Sequence, residues 1–227
     1  MAPNAVHVWR ISLDSPFDKS ILSPDEIERA GRFKVPVLYD RYCSGRCALR
    51  VTLSRYLDTS PQSIQFKYNE HGKPFASNAI DFNLSHAGGR MILGVTKGRM
   101  IGVDIETRNR RTESETIARR FFSPNEVEQL LRFPMHERGA AFLRCWVRKE
   151  AYVKAIGIGI GGGLQNFAVS LADCAITSLL WPGSAGDWTF HDVDAGPEFV
   201  ASVALASKPC ELEIFDYQSP FTFHPAL

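Results

Sequence analysis

The chain is poor in cysteine and nearly free of net charge, with five cysteines in 227 residues and a formal charge of +1 at pH 7. Cys43, Cys47, Cys145, Cys174 and Cys210 are odd in number, scattered and without a CxxC pair. That pattern excludes a disulfide framework and a zinc site of the usual spacing, so reduced thiols are expected. No apolar run approaches the roughly 18 to 20 residues a membrane helix needs, and MAPNAVHVWRISLD lacks the basic-then-apolar layout of a secretory signal. A cytoplasmic protein with no membrane partner is the expectation. The small net charge argues against general nucleic-acid binding. A Walker loop, GxSxG elbow, HExxH helix and Rossmann glycine fingerprint are also missing.

What is present is ordinary globular material, 44% hydrophobic and 22% charged, enough for a sizeable core. The length suggests one compact body with two lobes. Val6, Val8 and Ile11 mark a first strand. Ser23-Pro24-Asp25-Glu26 opens a helix with a capping box, and a second helix is predicted from about Asp40 to Asp58. Strands follow at 64–68, 80–84, 91–96 and 100–106. Helices are then expected at 113–122, 123–133 and 136–156, the last stopped by the glycine run 157–163. That run follows a helix and so reads as a stop, not a phosphate cradle. Strands near 167–171, 176–181, 188–193, 199–205 and 212–215 complete the chain.

This is an α+β pattern in two similar halves. SPDEIERAGRF at 23–33 matches SPNEVEQLLRF at 123–133 at six identical positions, and Arg46-Cys47-Ala48-Leu49-Arg50 resembles Arg144-Cys145-Trp146-Val147-Arg148. Two capped amphipathic helices could coincide. Duplication is the better account, giving two subdomains about a pseudo-twofold axis, each an antiparallel sheet packed with helices, over residues 1–104 and 105–227. A cleft between them would hold the ligand. Aligning the halves sets Thr52 opposite Glu150.

Asp104 and Glu106 in Gly102-Val103-Asp104-Ile105-Glu106 share one face of a strand. Acidic pairs at strand ends are often just solvated; two converging carboxylates also suit a hard cation such as Mg²⁺. Trp146, Glu150 and Lys154 form one helical stripe, which reads as an ordinary Glu–Lys pair beside a core tryptophan, or as a third metal oxygen or base with a phosphate-neutralising lysine. Gly72-Lys73-Pro74 and Phe82-Asn83-Leu84-Ser85-His86 read as a turn and a strand end, or as further phosphate donors. From Arg29 to Leu57 seven basic residues stand against one acid, which is a solvated helix face or a phosphate site.

In order, GKP, FNLSH, GVDIE, RRFFSPNE (119–126) and WVRKEAYVK (146–154) resemble the 4′-phosphopantetheinyl transferases of the large, surfactin-synthetase-activating type, over residues 20–165. The resemblance implies transfer of phosphopantetheine from coenzyme A to a serine of an apo acyl or peptidyl carrier protein, by a monomer. It implies Mg²⁺, with Mn²⁺ as an alternative, on Asp104, Glu106 and Glu150. Ser85, His86, Lys73, Lys149 and Lys154 match coenzyme-binding positions, His86 and the lysines at its phosphates. Arg29, Arg41, Arg46 and Arg50 fall where the 3′-phosphate is gripped, and Glu26 departs from relatives that carry lysine there. Glu150 is the expected base, with Glu106 its rival, and His86 and Lys154 complete the catalytic set. With Thr52 replacing the metal carboxylate in the first half, the N-terminal lobe is expected to hold the 3′-phosphate and the C-terminal lobe the metal.

Carrier proteins are usually acidic near the modified serine, so a basic dock is expected at Arg108, Arg110, Arg111, Arg119 and Arg120 around Phe121 and Phe122. A solvated linker with core phenylalanines competes with that reading. Competing functions are a Mg²⁺-dependent nucleotide pyrophosphohydrolase and a non-catalytic coenzyme A-binding module.

Overall fold

The computed structural model describes residues 5–109, 113–159, 163–180, 188–206 and 210–221. The chain opens with strand β1 (Val6–Ser12), followed by helix α1 (Pro24–Ala30) and the long helix α2 (Pro36–Leu57). A short hairpin, β2 (Lys67–Tyr68) and β3 (Pro74–Phe75), precedes β4 (Asp81–Ala87), β5 (Arg90–Thr96) and β6 (Ile101–Thr107). Helices α3 (Ser114–Phe121), α4 (Pro124–Arg132) and α5 (Met135–Ile156) come next. Strands β7 (Ile176–Ser178), β8 (Trp188–Val193), β9 (Phe199–Ala206) and β10 (Glu213–Asp216) close the fold.

Two four-stranded sheets run β10-β1-β5-β4 and β6-β9-β8-β7. Each half repeats one path: a strand, a capped helix, a 22-residue helix, then a hairpin whose last strand pairs antiparallel with the first. The duplication read from sequence is thus a duplication of topology. The boundary differs from the expected one, however. All of β6 lies in the second sheet, so the first half ends before Ile101, and β10 returns to pair in parallel with β1. Alternation of apolar residues shows that a segment is a strand without saying which sheet edge it completes.

Helix ends follow local chemistry. In α1 and α4 a proline occupies the first turn, where its missing N–H is not needed, and the glutamate at the third position accepts from the backbone N–H of Ser23 or Ser123. Pro36 does the same for α2, which therefore starts four residues before the expected Asp40. Gly157 stops α5 in the left-handed region at φ 75°.

Three expected strands are shortened or lost; that at 176–181 forms only over Ile176–Ser178, with residue 181 outside the described residues, and the other two share one reason. The 64–68 strand survives only at Lys67–Tyr68, and no strand longer than a single bridge forms at 167–171. Their carbonyls serve cations from the long helices instead of a ladder. Arg50 donates to Pro61 O and Ile64 O, while Arg148 donates to Ser170 O, Ala172 O and Cys174 O. Arg50 and Arg148 are the residues that the repeat aligns.

Each lobe has its own apolar core, and a third cluster built on Val6, Val8, Ile92, Ile101, Val103, Ile105 and Val203 joins them. Close approach is essential at this seam. A Cβ at Gly102 would fall on the Ala151 carbonyl and the Ala155 amide, so the helix backbone rests directly on β6. Backbone atoms cannot rotate away. Gly102→Ala should therefore destabilise the fold at the upper end of the roughly 1–3 kcal/mol typical of overpacking. Urea unfolding followed by circular dichroism measures this.

Candidate active site

At the seam, β4, β6 and α5 each contribute one polar side chain to a common point. Ser85 Oγ donates to Asp104 Oδ1 at 2.9 Å, and Lys154 Nζ donates to the same oxygen at 2.6 Å and to Ser85 Oγ at 2.8 Å. Asp104 and Ser85 are buried, and Lys154 reaches them from a partly open position. Asn83, two residues before Ser85 on β4, accepts from Val103 N at 2.9 Å and locks β4 to β6. Its place in FNLSH, in phase with Ser85, was the available sign of that role.

Two adjoining cavities flank this point. One, of about 340 Å³, is lined by Lys73, Asn83, Glu150, Lys154 and Gly157. The other, of about 350 Å³, is lined by Arg29, Arg41, Arg46, Tyr42, Phe33 and His86. Pro74 and Leu84 line both, so a long ligand could run from one to the other. The basic cavity matches a negatively charged ring-bearing group, because arginines fit phosphate and aromatic rings fit planar bases.

Burial lowers the Lys73 ammonium to a pKa of about 8, against a smaller opposing pull from Asp81. Its Nζ donates to Ala155 O at 2.8 Å and Ile101 O at 3.2 Å. The His86 imidazole is held below its ordinary range by enclosure in the cleft and by the charge of Lys154. Its surface remains open to solvent at the cleft mouth, so the neutral ring is accessible to a ligand.

Other expected site residues are placed elsewhere. Lys149 has no exposed surface, and its Nζ is taken by both oxygens of Glu126 (2.8 and 2.7 Å) and by Phe167 O at 2.6 Å. All three donors are used, so it is not a phosphate ligand. Arg50 is likewise buried, on Glu26 Oε2 at 2.8 Å and two loop carbonyls, and is absent from the cavity lining. Glu26 also binds Arg46, which accounts for the departure noted at this position. Burial pushes the Glu26 carboxyl up, but Arg50, Arg46 and the Ser23 N–H outweigh it and leave its pKa lowered. Arg41 is paired with Asp14 at 2.7 Å while still facing the cavity.

Of the expected dock, Arg108, Arg119 and Arg120 are exposed, and Phe121 is partly buried against Trp146. Phe122 is a core residue stacked on Phe142 at 5.2 Å and cannot be an apolar contact for a partner. Arg110 and Arg111 lie outside the described residues.

Of the expected metal carboxylates, Glu150 lines the first cavity, Asp104 is buried beside it on β6 and Glu106 is half-buried two residues further along that strand; no group of three or more His, Cys, Asp or Glu side chains among the described residues is arranged as a metal cage. Lys154 supplies the positive charge at Asp104 instead. The oxygen chemistry still suits a hard cation: Asp104 Oδ2 is a buried carboxylate oxygen to which no hydrogen-bond donor among the described residues is directed, and Glu150 brings a second carboxylate to the neighbouring cavity wall.

The placement of Lys149 predicts that Lys149→Met strands the Glu126 carboxylate and costs about 3–5 kcal/mol in urea unfolding. A loss of ligand affinity at unchanged stability would contradict it.

Comparison with known proteins finds relatives for both lobes. Residues 100–204 match the 4′-phosphopantetheinyl transferase superfamily model, and residues 11–97 match the model of the N-terminal part of a 4′-phosphopantetheinyl transferase. The division between them falls where β6 begins. The chain is 36% identical over 222 residues to the 4′-phosphopantetheinyl transferase HetI of Nostoc sp., covering 93% of this chain and 92% of that one. It is 32% identical to a phosphopantetheinyl transferase of Thraustochytrium sp., covering 89% and 79%. Against the 4′-phosphopantetheinyl transferase Sfp of Bacillus subtilis it is 28% identical, covering 93% and 98%. With likeness running through both lobes and across the seam that holds Ser85, Asp104 and Lys154, the chain belongs to the 4′-phosphopantetheinyl transferase superfamily, among its Sfp-like members.

Proposed function

We propose that the protein transfers 4′-phosphopantetheine from coenzyme A to a serine hydroxyl of an apo acyl or peptidyl carrier protein, releasing adenosine 3′,5′-bisphosphate. The observation that carries this reading is the pair of adjoining cavities, one basic and aromatic, the other bearing Glu150, Lys154 and Lys73. In this reading Arg29, Arg41 and Arg46 hold the adenosine 3′-phosphate, with Tyr42 and Phe33 against the base. Ser85 and His86 meet the coenzyme where the cavities join, and Lys73 and Lys154 lie along its pyrophosphate.

Attack by a hydroxyl on the β-phosphorus builds charge on the phosphoryl oxygens, so the residues act mainly by position and charge. Glu150 takes the serine proton as the new P–O bond forms, and Glu106 is the rival for that role. The bond from the phosphorus to the bridging oxygen breaks, and the departing bisphosphate leaves against the ammonium groups of Lys154 and Lys73. Asp104, Glu106 and Glu150 would hold Mg²⁺, or Mn²⁺ in its place, which would supply further charge neutralisation at the pyrophosphate. Arg108, Arg119 and Arg120 offer a basic surface to an acidic carrier. The enzyme would act as a monomer in the cytoplasm.

The test is to incubate the protein with coenzyme A, Mg²⁺ and an apo carrier and to weigh the carrier. A mass gain of one phosphopantetheine is expected, and Glu150→Gln should lower the rate by about 10²–10⁴-fold, the range for a lost general base. Coenzyme A cleavage without carrier modification would identify a pyrophosphohydrolase, and binding alone a non-catalytic module.

A pH profile tests Lys73 separately. A lysine with a lowered pKa keeps its charge below that value and loses it above, so kcat/KM for coenzyme A should fall as pH rises through about 8. Lys73→Arg, which stays charged, should move that limb upward.

A further inference from the structure

The turn between β2 and β3 belongs to the first half of the chain, yet it is fastened to the end of α5 in the second. Asn69 makes both parts of that fastening. Its Oδ1 accepts from His71 N at 3.0 Å and from Lys73 N at 2.8 Å, which shapes the turn around Gly72 at φ 82°. Its Nδ2 donates across the seam to Gly157 O at 3.0 Å. Lys73, presented by the same turn, donates to Ala155 O and Ile101 O.

The carbonyls of Ala155 and Gly157 lie at the end of α5, where a helix runs out of its own N–H donors. An amide and an ammonium therefore satisfy the end of this helix, and the cation also suits its negative pole. Lys154 is the residue next to the Ala155 carbonyl, and its Nζ reaches Asp104 and Ser85. Glu150 stands one turn earlier, and His71, Gly72 and Lys73 form the opposite wall of the same cavity. What holds the turn to the helix end thus sets the width of that cavity.

We propose that Asn69 is a positioning residue for the transfer: through one side chain it orients Lys73 and clasps the last turn of α5, fixing Lys154 and Glu150 relative to the N-terminal lobe. The proposal rests on the transferase reading of this site. Asn69 is exposed and contributes nothing to the apolar cores, so its loss is expected to loosen the clasp without unfolding the lobes. Asparagine is required because the clasp needs an acceptor and a donor on one short side chain. Aspartate keeps the acceptor for the turn but replaces the donor with an oxygen facing Gly157 O.

The experiment compares wild type, Asn69→Asp and Asn69→Ala. In Asn69→Asp the Gly157 amide, which closes on Val153 O at 2.9 Å, should exchange hydrogen faster while amides of the β1–β5 sheet are unchanged. The kcat for carrier modification should fall about tenfold, within the range for a small misplacement of reacting groups, with KM for the carrier and the melting temperature held. Asn69→Ala should lose more, since the turn itself is released. The alkaline limb assigned to Lys73 should move upward in both, as its ammonium is less enclosed. Wild-type exchange at Gly157 together with wild-type kcat would overturn the proposal, as would a kcat loss fully explained by a lower folded fraction. Failure of the wild type to modify any carrier would instead overturn the transferase reading, and the positioning role with it.

Discussion

Both lobes depend on a buried carboxylate at the start of a short helix, neutralised by a cation from the long helix that follows. Glu26 plays this part with Arg46 and Arg50, and Glu126 with Lys149. Each glutamate also caps its helix by accepting from a serine N–H. Cap, ion pair and helix packing are therefore one unit: the carboxylate cannot leave without exposing a helix end and stranding a buried cation. Removing one partner of such a pair is costly because the other charge remains out of water. The same logic extends to Arg50 and Arg148, whose guanidiniums hold the loops after the long helices in place of strand pairing.

This arrangement sorts the basic residues into two groups that look alike in a list of charges. Arg50, Arg148 and Lys149 are turned inward onto carboxylates and carbonyls and stay out of both cavities, whereas Arg41, Arg46, Lys73 and Lys154 have such partners but keep a face on a cavity. Those facing the cleft, among them Arg29, Arg41, Lys73 and Lys154, line cavities that an anionic ligand could enter. Duplication followed by divergence explains the asymmetry. Equivalent helix positions carry Thr52 in one lobe and Glu150 in the other, so the carboxylate that faces the cavity belongs to α5 alone.

The polar cluster of Ser85, Asp104 and Lys154 belongs to neither lobe alone. It is assembled where β4, β6 and α5 meet, and it can be assembled only because Gly102 lets the helix backbone touch the strand. The hairpin turn at Asn69 and Lys73 fastens the far end of the same helix. Strand contact at one place and a polar clasp at the other leave α5 little freedom, as a charge-based mechanism requires of groups that must stay aimed at a developing charge.

The capped helices, the repeat, the same-face pairing of Asp104 with Glu106 and the stop at Gly157 were readable from residue order alone. These follow from interactions spanning a few residues: a serine before a proline, a period of two, a glycine free to take positive φ. GKP, FNLSH and WVRKEAYVK were each ambiguous alone and were read as pieces of one site only through their resemblance, taken in order, to a known family. That Lys149 and Arg50 are structural, that Phe122 is core, that β10 completes the first sheet and that Asn69 spans the seam depended on how distant segments pack. A cation's role depends on which acceptors surround it, and those acceptors, Glu126 and Phe167 for Lys149 and Pro61 and Ile64 for Arg50, come from other segments. Local pattern fixes which way a side chain leaves its own helix or strand; what it meets there is set by how the lobes pack.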